Sequence, residues 1–146
     1  MKKILLLASA FTFSLAVMAQ SAVDSVAKFN VEKHDFGKLK AGTPVTYSFE
    51  IKNISNKPLV VENSWASCGC TTPEKIVDPI MPGATAMLKV QYNAAAVSPF
   101  TKDVYVSFTG IAQPKTVQIT GEVLSAEAYE EYLKTKPKEK EEKPKN

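Results

Sequence analysis

The run Val45-Thr46-Tyr47-Ser48-Phe49-Glu50-Ile51-Lys52 decides the fold. Its apolar residues occupy every second position, and polar residues fill the gaps. Side chains at i and i+2 share one face of an extended chain, so this run offers one face to a core and one to water. No helical stripe fits it. The same period returns downstream. Ala86, Leu88, Val90 and Tyr92 alternate with Met87, Lys89 and Gln91. Val104, Val106 and Phe108 lie opposite Tyr105 and Ser107, and Val117, Ile119, Gly121 and Val123 alternate with Gln118, Thr120 and Glu122. Shorter apolar runs stand at Phe29 with Val31 and at Leu59-Val60-Val61.

Breakers separate these runs: Ala41-Gly42-Thr43-Pro44, the stretch from Asn53 to Pro58, Met81-Pro82-Gly83, and Gly110 to Pro114. About seven strands with Pro/Gly turns, each with one face to bury, suit two packed antiparallel sheets. The expectation for residues 27–124 is an all-β, immunoglobulin-like sandwich, with a small barrel as the alternative.

The flanks read differently. Met1-Lys2-Lys3 followed by the uncharged Ile4–Ala19 is a positive start and an apolar run of 16 residues. That is shorter than the roughly 20 residues a transmembrane helix needs. It ends in Val17-Met18-Ala19, a small-x-Ala cleavage pattern. Residues 1–19 are read as a signal peptide, which places the mature chain, from Gln20, in the periplasm or outside the cell with no membrane span. Residues 125–134 are read as a short helix: Ser125 is an N-cap, acids come early and Lys134 late, and Ala128, Tyr129, Tyr132 and Leu133 fall at helical spacing. Residues 135–146 are almost entirely Lys, Glu and Pro, with nothing to bury, and are read as a disordered tail.

Composition narrows the function. The chain of 146 residues holds 18 Lys, 15 acids and no Arg. Without Lys2 and Lys3 the count is 16 Lys against 15 acids, a net of +1. A near-neutral body lacking the bidentate guanidinium argues against nucleic acid as a partner. No Gly-rich phosphate loop, paired-carboxylate motif or nucleophile elbow is present, so no catalytic residue and no cofactor is assigned, and the chain is read as a non-enzyme.

The least generic stretch is Trp65-Ala66-Ser67-Cys68-Gly69-Cys70-Thr71-Thr72-Pro73, with the only Trp and both Cys of the chain. Trp65, Gly69, Thr71 and Thr72 form a candidate interaction loop, and Cys68 and Cys70 a candidate disulfide or thiol pair. Exported thiols are normally oxidised. In a flat strand their Cα atoms would stand about 6.6 Å apart, near the ~6.8 Å limit of disulfide geometry, and a bend at Gly69 would bring them closer. Closing so short a loop returns only about 1.6 kcal/mol of chain entropy, so the bond would be a poor staple and easily reduced. A soft-metal site for copper or zinc is the competing reading, with His34, Met81 or Met87 completing the shell. A catalytic Cys–His pair would have only His34 as its base. The plainest reading is a tight turn closed by Gly69 and capped by Thr71 and Thr72.

His34-Asp35-Phe36-Gly37 is the second unusual patch. Neighbours on an extended chain point to opposite sides, so His34 and Asp35 make a poor acid/base pair. A bend, with Phe36 returning to the core and Gly37 supplying a special backbone angle, is the simpler reading.

Together these patches resemble a bacterial family, domain of unknown function 1573, common in secreted proteins of the Bacteroidetes type. The resemblance rests on His34-Asp35-Phe36-Gly37-Lys38, Asn53-Ile54-Ser55-Asn56, Ser67-Cys68-Gly69-Cys70-Thr71-Thr72-Pro73, Pro82-Gly83, Val90-Gln91-Tyr92-Asn93, Phe100-Thr101-Lys102 through Val106, and Ile119-Thr120-Gly121-Glu122-Val123. It implies an immunoglobulin-like sandwich over about residues 28–124; it does not imply an enzyme and offers no catalytic residues to carry over. The function expected is a secreted interaction module or envelope-structural protein, its partner an unidentified protein or envelope component. The alternative is a redox or soft-metal protein working through Cys68-Gly69-Cys70.

Overall fold

The computed structural model describes residues 22–135. The expected signal peptide and all of the expected tail beyond Thr135 lie outside them. Among the described residues a short 3-10 turn, Ala22–Ser25, leads into eight strands: β1 (Ala27–Phe29), β2 (Lys33–Lys40), β3 (Val45–Asn53), β4 (Val61–Ala66), β5 (Thr71–Pro73), β6 (Thr85–Tyr92), β7 (Pro99–Phe108) and β8 (Lys115–Leu124). Helix α1 (Ala126–Thr135) follows.

The strands form two four-stranded sheets, ordered β1-β3-β6-β5 and β2-β8-β7-β4. Phe49 and Ile51 of β3 and Leu88 and Val90 of β6 face Val104, Val106 and Phe108 of β7 and Val117 and Ile119 of β8, all fully buried. These are the alternating residues of the four long runs, so burial of one face per strand builds the sandwich. The immunoglobulin-like expectation holds, with one departure in pairing. β2 runs parallel to β8, whereas the other pairs are antiparallel, so the second sheet is mixed. The polar, Lys-rich composition of β2 carries no signal of strand direction; its neighbour is set by packing at the edge.

Several boundaries differ from those read in the sequence. Val31 lies beyond β1 and is exposed, because the chain turns at Asn30. The Leu59–Val61 run is split: Leu59 bridges to Ile80 outside any strand, and β4 begins at Val61. β5 is a separate three-residue strand in the stretch read as a loop. Ser125 stands just outside α1 and caps it, its Oγ accepting from the Ala128 amide at 3.2 Å. No residue of α1 is buried. It rests beside β2 through an ion pair of Lys40 with Glu130 (3.4 Å) and the Lys38 ammonium 5.6 Å over the Tyr132 ring.

Candidate functional site

Cys68 and Cys70 sit in the crossover between the sheets. β4 is the edge of one sheet and β5 the edge of the other, and residues 67–70 carry the chain between them. The Ser67 amide donates to the Asp103 carbonyl at 2.9 Å, prolonging the β4–β7 ladder to the mouth of the loop. On the far side the Thr71 amide donates to the Cys68 carbonyl at 3.3 Å, and the Asn93 amide to the Cys70 carbonyl at 3.0 Å. The loop is therefore held by backbone hydrogen bonds at both ends.

Within that frame Cys68 and Cys70 are joined in a disulfide, their Cα atoms 5.3 Å apart. This is shorter than the about 6.6 Å of a flat strand, so the chain bends. The bend expected at Gly69 is present without a positive φ there, and Gly69 supplies an exposed tip with open space where a side chain would stand. Both cysteines are half-buried, and Cys70 packs on the hydrophobic core. Thr71 is only 4% exposed, and its hydroxyl lies 3.7 Å from the Cys68 sulfur and 3.8 Å from the Cys70 sulfur. Thr72 is exposed on β5 opposite Gln91, so the two threonines do not share a capping role.

Trp65 is 40% exposed on β4 and stacks on Tyr105 of β7, with centroids 5.5 Å apart. Nothing in the spacing of its strand marks Tyr105 as the partner of Trp65. The available signal was an aromatic residue on the polar face of its strand.

The structure does not bring the proposed extra metal ligands to the cysteines. His34 is on β2, at the opposite edge of its sheet from β4. Three strand spacings of about 4.8 Å separate those edges. Met87 stands five positions along β6 from Tyr92, the partner of Thr71, or about 17 Å at 3.4 Å per residue. Met81 precedes β6 beyond that same end. Among the described residues no cluster of three or more His, Cys, Asp or Glu side chains could hold a metal ion.

His34 and Asp35 also part. The His34 ring stacks on Tyr47, centroids 3.6 Å apart, while the exposed Asp35 carboxylate accepts from the Gly37 amide at 2.9 Å. Burial lowers the His34 pKa below its ordinary value, against the opposing charge of Asp35. Gly37 has φ of +67° at the bulge where the β2–β8 register shifts, as a bend at this patch requires.

Two packed sheets joined by a clamped crossover define an immunoglobulin-like sandwich module. A family model described as "Protein of unknown function (DUF1573)" matches residues 27–123, and the chain belongs to this family. No curated protein matches it. Among solved structures it is similar to a protein of unknown function from Porphyromonas gingivalis W83, with 17% identity and a TM-score of 0.57 over 66% of this chain and 46% of that one. It thus spans about half of that protein's length. It is also similar to PapD-like domain 7 of human CEP192, an ASH / PapD-like domain, with 9% identity and a TM-score of 0.54 over 81% of this chain and 99% of that domain. A third likeness is to the secreted serine protease VesC of Vibrio cholerae, with 11% identity and a TM-score of 0.54 over 67% of this chain and 23% of that one. At these identities the likenesses concern the fold. Among the described residues no helix is long and apolar enough to cross a membrane.

Proposed function

We propose that the chain is an exported, non-enzymatic binding module that takes an extended segment of a protein or envelope component along β4. The observation that carries this is the contrast among the four sheet edges. β1 and β5 are three residues each, and β5 ends in Pro73. Short edge strands and proline both discourage strand addition. β2 is flanked by α1 through Lys40 and Glu130. β4 has six residues, and among the described residues no strand is paired to its outer side; only the irregular chain after β5 lies beside it there, the Ser64 hydroxyl donating to the Glu74 carbonyl at 3.3 Å, and a partner strand would take that segment's place.

Antiparallel alternation fixes which groups face outward. The Ser67–Asp103 bond and the Trp65–Tyr105 pairing turn the amides of residues 65 and 67 toward β7. Those of Ser64 and Ala66 therefore point to the free side. The Ser64 amide is satisfied locally by the Asn63 side chain at 2.9 Å, which leaves the Ala66 amide and the carbonyls of Ser64 and Ala66 facing a partner strand. The exposed Trp65–Tyr105 pair beside them supplies rigid apolar surface of the kind that anchors interfaces. Export is supported by residues 1–19 and by the oxidised cysteines.

The test is Ala66→Pro. It removes the outward amide but leaves the bonds to β7, so melting should be little changed. A photo-crosslinker at Ser64, in cells, should form an adduct with a defined envelope component that Ala66→Pro abolishes. No adduct, or one indifferent to Ala66→Pro, would overturn the reading.

A further inference from the structure

We infer that Cys68–Cys70 is a thiol–disulfide exchange site in which the Thr71 hydroxyl stabilises the departing thiolate. This stands apart from binding along β4.

Three observations converge. First, the two sulfurs are separated by a single residue, so the bond constrains the unfolded chain very little. Second, the crossover is held without it. Ser67 is tied to Asp103, Thr71 to Cys68 and Asn93 to Cys70 through backbone groups, so the loop keeps its place when the bond opens. Third, Thr71 is buried and its hydroxyl has the two sulfurs as its neighbours, at 3.7 and 3.8 Å. A disulfide sulfur is a weak acceptor, whereas a thiolate is charged and accepts strongly. The same hydroxyl therefore gains more from the open pair than from the closed one. An interaction stronger in the charged product than in the resting bond lowers the barrier to reaching it.

The ligand class is a dithiol. Its thiolate attacks the Cys68 sulfur, because Cys70 packs on the core and is the better-shielded of the two. The Cys68–Cys70 bond breaks, and its electron pair leaves on the Cys70 sulfur beside Thr71. A mixed disulfide then joins the dithiol to Cys68. The second thiol of the dithiol, deprotonated, attacks its own partner sulfur and releases Cys68. The dithiol ends as a disulfide, the protein pair carries the two electrons, and the two protons lost by the dithiol finish on Cys68 and Cys70. The exposed, side-chain-free tip at Gly69 leaves the approach open.

The experiment uses the full chain and dithiothreitol, with thiol alkylation read by intact mass. The pair should reduce in the folded protein without denaturant. Thr71→Val should slow reduction about tenfold, the loss of one hydrogen bond to a charged group, and Thr71→Ser should restore it. The sign separates this from mere loosening, since a looser loop would reduce faster. Reduction that occurs only through global unfolding, or a Thr71→Val rate equal to or above wild type, would overturn the inference. If Thr71→Val does not fold, the pH dependence of alkylation in reduced wild type decides. A thiol titrating below the ordinary ~8.5 supports the site, and one at or above that value overturns it.

Discussion

A methyl group added at Gly121 would stand 2.8 Å from the Gly37 carbonyl oxygen and from two ring carbons of Phe100. Neither can yield cheaply. The carbonyl belongs to the bulge of β2, held by the Asp35 carboxylate, and the Phe100 ring is stacked on Tyr92 with centroids 4.1 Å apart. Gly121→Ala should therefore destabilise the fold by about 1–3 kcal/mol. A melt checks this; for a domain near this size each kcal/mol is worth roughly 4–8 °C. The alternation of residues 117–123 places Gly121 on the inward face, but no residue nearby marks it as a contact point, because both neighbours arrive from distant parts of the chain. Thr71 makes the same point at the candidate site. Its position after a Cys-Gly-Cys suggests a cap, while its place between two sulfurs depends on β5 pairing with β6.

At the scale of the element, the turn after β3 is organised by one side chain. Asn53 is fully buried, and its Nδ2 donates to the carbonyls of Lys57 and Ile80, both at 2.7 Å. Its Oδ1 accepts from the Ser55 amide at 2.9 Å and the Ser55 hydroxyl at 2.8 Å. Asn53 thus ties the β3–β4 turn to the chain entering β6. Asn53→Asp keeps size and acceptor but sets a carboxylate against two carbonyls. It should cost more than about 2 kcal/mol at neutral pH by denaturant unfolding, and less as acid protonates the new carboxyl. The Asn53-to-Pro58 stretch is legible as a turn from its residue types, yet the Ile80 carbonyl that Asn53 satisfies is not. The long strands were legible for the opposite reason: their period is local. β2 and β5 were not, one because it is polar at a sheet edge and the other because three residues carry no period.

Across the whole molecule, Lys115 joins the segments on either side of β1 to the last strand. It is buried at the head of β8, and its ammonium lies 2.7 Å from Asp24 in the opening 3-10 turn and 2.5 Å from Glu32 between β1 and β2. Burial pulls its pKa down, but the hydrogen bonds and charges of Asp24 and Glu32 together outweigh that, and it lies above the ordinary lysine value. A raised folded pKa means a contribution fully present below the unfolded value, near 10.4, and lost as pH rises through the folded one. Lys115→Met should cost about 1–2 kcal/mol near pH 8, the partial exposure of both carboxylates limiting the loss. The gap between wild type and variant should narrow above about pH 10.5, as melts across that range would show.

The sequence alone determined the sheet class, the core of the long strands, the capped helix and the nearness of Cys68 to Cys70. Each follows from spacing within a few residues, where the period of an extended chain or a helix dictates what faces what. Tertiary structure decided the parallel seating of β2 against β8, the separation of His34, Met81 and Met87 from the cysteines, the place of β4 at the end of its sheet and the buried hydroxyl beside the disulfide. Those depend on which edge meets which neighbour when two sheets close on one core. That choice is made by the summed burial of many side chains from distant parts of the chain, and no short stretch contains it.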